Sequence, residues 1–133
     1  MNTTHPTNWH ATTAPTAVPH ATAVVLAQVA GRRREQDKVF GEQNHPDGTG
    51  PDVTLTGLAR RAADAAWAAR FTTEMARAED RLTWLHILRE EVYEALAEAD
   101  PQALRDELLD VAATAVVWIE AIDRRRARPG GRG

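Results

Sequence analysis

Apolar side chains recur every three to four residues along most of this chain, the period of helices that each bury one face. Over residues 82–99 the stripe collects Leu85, Leu88, Val92, Ala95, Leu96 and Ala99; over 101–125 it collects Leu104, Leu108, Val111, Ala115, Ile119 and Ile122. The pattern predicts four helices, at about 21–41, 55–79, 82–99 and 101–125. Between the first two, Gln43 to Pro51 holds two prolines and two glycines and reads as a long loop. Between the last two the break is short: Asp100 can cap the next helix, and Pro101 fits its first turn, where no N–H is needed. The last two helices therefore make a tight antiparallel hairpin.

Residues 1–20 carry Thr, Pro, Ala, His and Asn with almost no large apolar side chains, too little to offset the entropy of ordering. They read as a mobile leader, residues 21–125 as one helical domain, and the basic, glycine-rich stretch 126–133 as a flexible tail.

Composition supports an all-α class: aromatic residues make up 5% of the 133 residues, while alanine and arginine abound. There is no cysteine, which excludes disulfide frameworks and thiol nucleophiles and makes a reducing cytoplasm the expected compartment. A net charge of −3 argues against a nucleic-acid partner. No run approaches the roughly 18 apolar residues of a membrane span, and the N-terminus lacks the features of a signal peptide.

The chemistry concentrates on the hairpin. On a helical wheel Glu91 borders the apolar stripe of its helix with Glu94 beyond it, and Glu107 and Asp110 hold the equivalent places on the next helix. Glu94 and Glu107 are equally distant from the turn, and so are Glu91 and Asp110. Two antiparallel helices would thus present four carboxylates in two rungs about 4.5 Å apart along the axis. Acids at i and i+3 are ordinarily a solvated face; two such pairs on shared rungs instead make a cage that a hard divalent cation would neutralise, Mg²⁺ first and Mn²⁺ as a substitute. Glu90 points nearly opposite the stripe.

Glu90-Glu91-Val92-Tyr93-Glu94, followed after twelve residues by Glu107-Leu108-Leu109-Asp110, resembles the EExxE…ExxD signature of the MazG-like all-α nucleoside triphosphate pyrophosphohydrolases. The likeness extends over about residues 30–125. It implies a four-helix bundle of that family's type, working as a homodimer or homotetramer, in which water attacks a nucleoside triphosphate to release pyrophosphate. It also implies Glu91, Glu94, Glu107 and Asp110 as Mg²⁺ ligands and Glu90 as an outer-shell or water-orienting group. No side-chain nucleophile is needed, and the chain has no serine.

Further candidates are weaker. Gln36 falls on the side of Val25, Val29 and Phe40, so its amide would enter the core and want a partner, a nucleotide or a structural hydrogen bond. Lys38, the only lysine, could reach a phosphate or sit on a solvated face. Trp84 and Trp118 project on the acid-bearing sides of their helices and could flank a base or fill the core. Glu42-Gln43-Asn44-His45 formally reads ExxH, but ferritin-like di-iron sites need that element on two helices. His86 points away from its stripe, toward solvent. The alanine-rich face of the second helix suggests a core completed by association. A metal- and nucleotide-binding module without turnover, and a purely structural dimerisation domain, are the competing readings.

Overall fold

The computed structural model describes residues 17–128. Residues 1–16 and 129–133, which hold most of the expected leader and tail, lie outside the described residues. Four helices dominate: α1 (His20–Phe40), α2 (Ala62–Ala78), α3 (Trp84–Leu96) and α4 (Pro101–Ala127), with two short strands, β1 (Thr54–Leu55) and β2 (Arg60–Arg61), before α2. The fold is all-α apart from this ribbon. The first helix starts one residue inside the expected leader, and α4 runs two residues into the expected tail.

One boundary is corrected substantially. Residues 55–61, expected as the start of the second helix, instead form an antiparallel ribbon pairing Thr54 with Arg61 and Leu55 with Arg60. Thr54 and Thr56 are β-branched, Gly57 weakens a helix, and Ala59 sits at φ +51° in the connecting turn. The ribbon also sets where α2 begins. The first N–H groups of α2 have no side-chain cap; Ala62 and Ala63 donate to the carbonyls of Val53 (2.7 Å) and Pro51 (3.0 Å).

The loop from residue 41 to 53 is tied to the far end of α3. Gly50 donates to the Leu96 carbonyl at 3.0 Å and Thr49 Oγ1 donates to the Glu98 carbonyl at 2.6 Å, satisfying groups at the end of α3. Gly50 is buried at φ +147°, a conformation closed to residues with a Cβ. The expected cap of α4 is present, with Asp100 Oδ2 accepting from the Ala103 N–H at 2.8 Å and Pro101 in the first turn.

The helices lie in a row, α2 on α3, α3 on α4 and α4 on α1. Ala62, Ala65, Ala66, Ala69, Thr73 and Ala76 form one buried face of α2. Small side chains here let the backbones of α2 and α3 approach closely, so the alanine face expected to seek a partner chain is covered within this one. Thr73 is buried among them, its hydroxyl within hydrogen-bonding distance of the Ala69 and His86 carbonyls.

The helix α1 touches α4 near its own start, where Val25 is buried and Thr22 Oγ1 donates to Glu120 Oε1 at 3.0 Å. Farther along, Val29 and Phe40 are exposed. The face expected to carry Gln36 into the core is therefore uncovered.

Candidate functional site

The central helix α3 explains the site, because it packs on α2 along one side and on α4 along another and so has two covered faces. A single-stripe wheel describes only one of them. Along the side toward α4 stands Glu91; along the side toward α2 stand Glu90 and Glu94. Short loops and capped ends, Thr83 donating its N–H to His86 Nδ1 at 3.1 Å and Asp100 capping α4, fix the rotation of both helices of the hairpin.

Carboxylate oxygens of Glu91, Glu107 and Asp110 lie within 4.8 Å of one another. Glu91 and Glu107 are half-buried and Asp110 is exposed. The fourth acid of the expected cage, Glu94, is near them but its Oε1 is engaged by Arg70 of α2, which donates from Nη2 at 2.9 Å and Nε at 3.3 Å. Arg70 Nε also lies 3.8 Å from Glu90 Oε1. So the structure brings three of the expected ligands together and turns the fourth toward a guanidinium.

The expectation that Glu90 faces solvent is corrected. Its side chain is only 21% exposed and faces α2, since α3 has a neighbour on that side as well. His86 is likewise half-buried and acts in the N-terminal cap of α3 rather than projecting freely into water. Gln36 is exposed, its Oε1 accepting from Arg33 at 2.7 Å, so no buried amide awaits a ligand there. Lys38 pairs with Glu35 on the same exposed surface of α1. Trp84 and Trp118 stack on each other, ring centroids 6.4 Å apart and planes 15° apart, so one face of each ring is covered by the other.

The electrostatics follow from crowding. Partial burial, then the nearby charges of Glu94, Asp110, Glu107 and Glu90, push the Glu91 carboxyl above its ordinary range. Glu107 is raised in the same direction by burial, Glu94, Asp110 and Glu98, with Arg70 opposing. Burial and Glu94 raise Glu90 against the pull of Thr73, Arg70 and Arg77. Grouped carboxylate oxygens of this kind could hold a metal ion, whose charge would remove the repulsion.

These shifts carry a sign. A carboxyl whose folded pKa is raised binds protons better in the folded chain, so it destabilises the fold at neutral pH and ceases to do so as the pH falls through the raised values. Without divalent metal, the three raised acids should therefore favour a higher melting temperature near pH ~5 than near pH ~7.5. Added Mg²⁺ or Mn²⁺ should raise the melting temperature most at the higher pH, where the acids are ionised. Melting curves at both pH values with and without metal check this, and a metal response absent at both would remove the cage.

Two residues of α2 escaped the sequence reading. An open cleft of ≈ 370 Å³ runs beside the acids, lined by Trp67, Arg70, Glu94 and Glu107 among others. Trp67 is 67% exposed and stacks on Phe71 at 5.7 Å with planes 9° apart. Trp67, Arg70, Phe71 and Glu74 follow the i, i+3, i+4, i+7 spacing of one helix face, a signal legible in the sequence. That this face meets the acids of α3 depends on the packing of α2. No protein-family model, curated protein or solved structure matches the chain.

Proposed function

We propose that this protein is a Mg²⁺-dependent nucleoside triphosphate pyrophosphohydrolase, releasing pyrophosphate and a nucleoside monophosphate, as its MazG-like EExxE…ExxD pattern implies. The observation that carries the reading is the meeting of Glu91, Glu107 and Asp110 oxygens within 4.8 Å across two helices. A bound cation would supply positive charge to the phosphate oxygens and lower the pKa of the attacking water.

The chain's own residues supply the rest. Glu91, Glu107 and Asp110 hold the cation, with Glu94 completing the set from its position beside Arg70. Glu90, one residue from the ligands and facing Arg70 of α2, orients water from the α2 side. Trp67 replaces Trp84 and Trp118 as our preferred platform for the base, because its ring is exposed and lines the cleft shared with Glu94 and Glu107. Selection among bases and sugars would rest on the walls of that cleft.

Association into a homodimer or homotetramer belongs to the same proposal. Leu108 and Leu109, flanked by Glu107 and Asp110, are 51% and 54% exposed. Burying the exposed half of each side chain would gain about 1 kcal/mol, so covering them by a second copy would complete both the core and the walls of the site.

A screen of canonical and modified nucleoside triphosphates, with pyrophosphate detected in the presence of Mg²⁺, tests the activity. Trp67→Ala should raise KM for the best substrate about tenfold, the loss of one stacking contact, with a smaller change in kcat. Metal binding with no pyrophosphate release from any nucleotide would instead assign the chain to a binding module. No metal binding at all would leave a structural helical domain.

A further inference from the structure

Resting on the metal reading above, the geometry points to a second use of the cleft. We propose that Arg70 is a phosphate-binding residue held in reserve: without metal its guanidinium occupies Glu94, and a divalent cation that recruits Glu94 transfers the guanidinium to the phosphate chain of the substrate.

Three features carry this. Both guanidinium contacts converge on one oxygen of Glu94, Nη2 at 2.9 Å and Nε at 3.3 Å, so Arg70 stands where a cation would neutralise this carboxylate. Glu94 nonetheless adjoins the acidic cluster, since it lines the same cleft as Glu107 and Arg70. A divalent cation among the three converged carboxylates would therefore draw the fourth.

The pair is also weak enough to exchange. Arg70 is 56% exposed, and ion pairs this open contribute little, so the guanidinium can leave Glu94 at small cost. Release leaves Arg70 in the right place. It lines the same cleft as Glu94, Glu107 and Trp67, so a triphosphate lying between the metal and the tryptophan passes its guanidinium. The planar fork of arginine matches two phosphate oxygens at once, which lysine does not do. Metal and polyphosphate would then bind cooperatively, because the cation both supplies charge and frees a donor.

Calorimetric titration of the full chain with Mn²⁺ alone, and then with inorganic pyrophosphate at saturating Mg²⁺, tests the exchange. Arg70→Gln should bind Mn²⁺ about 2- to 5-fold more tightly, having lost the competitor for Glu94. It should bind pyrophosphate at least about tenfold more weakly, having lost a charge-assisted contact. Arg70→Lys should recover part of the pyrophosphate affinity. The site is on the exposed side of α2, and thermal melting of the variants checks that they fold. Absence or reversal of either change in Arg70→Gln, with the parent binding Mn²⁺ normally, overturns the role of Arg70 and leaves the metal centre standing. A parent that binds no Mn²⁺ overturns the metal reading itself.

Discussion

Glu91→Gln, Glu107→Gln and Asp110→Asn, made singly, are each expected to reduce pyrophosphate release by two or more orders of magnitude, about 3 kcal/mol or more of lost transition-state stabilisation. Each removes one of three oxygens that lie within 4.8 Å of one another, a large share of the charge a cation would meet there. Glu94→Gln is expected to lose comparably if its carboxylate joins the metal, and far less if its only office is to hold Arg70. The neighbouring acids provide the contrast. Asp106 is exposed and accepts from Gln102 at 3.3 Å, and Glu98 Oε1 accepts the Asp100 N–H at 3.2 Å in the hairpin turn. Asp106→Asn and Glu98→Gln should stay within about tenfold of the parent. Without metal, Glu91→Gln should also melt above the parent, because its raised carboxyl is crowded by four other acids. Higher stability joined to lost turnover separates a metal cage from surface acids. Equal losses across all six variants would sink the assignment.

Enlarging the alanine face of α2 should cost the domain a substantial part of its stability. Ala65 is 2% and Ala69 6% exposed, so three further carbons at either position have to displace neighbours of the buried face or push into the small cavity that both residues line. Ala65→Leu or Ala69→Leu should destabilise the fold by about 1–3 kcal/mol each, lowering the melting temperature by about 5–15 °C. Ala78→Leu, at an exposed position of the same helix, should change stability by less than about 0.5 kcal/mol. Denaturant titration at two protein concentrations reads this directly. Losses that disappear on dilution would mean that the alanine face meets another chain instead of α3.

That face shows how far periodicity reaches. The spacing of Ala62, Ala65, Ala66, Ala69 and Ala76 marks a helix with a small-residue stripe, but a stripe does not state what covers it. Contact between copies and contact with α3 have the same pattern, and only the path of the loop from Gly50 to the α2 start, held by Val53 and Pro51 carbonyls, decides between them.

The hairpin was more legible. Pro101, Asp100 and the two acid-bearing stripes are local signals, and antiparallel register follows from equal distance to the turn. They sufficed to bring Glu91, Glu107 and Asp110 to one place on two helices. Those signals treat each helix as having one buried face, however, and α3 has two. Glu90 was therefore assigned to solvent, and the attachment of Glu94 to Arg70 was not foreseen, because a wheel drawn for one helix contains no information about a neighbour twenty-four residues away. The same limit applied to α1, where a regular apolar spacing placed Gln36 inside, although α4 covers only the first turns.

The sequence by itself determined the helical class, the hairpin break at Asp100-Pro101 and the grouping of acids, since these depend on propensity, capping and period, all of which act over a few residues. The tertiary structure alone decided that residues 54–61 form a ribbon, that Trp84 and Trp118 stack on each other while Trp67, stacked on Phe71, stays exposed beside the cleft, and that Arg70 stands beside the acids. Each of these is set by which helix surfaces meet, a packing problem solved jointly by distant segments and written in no local pattern.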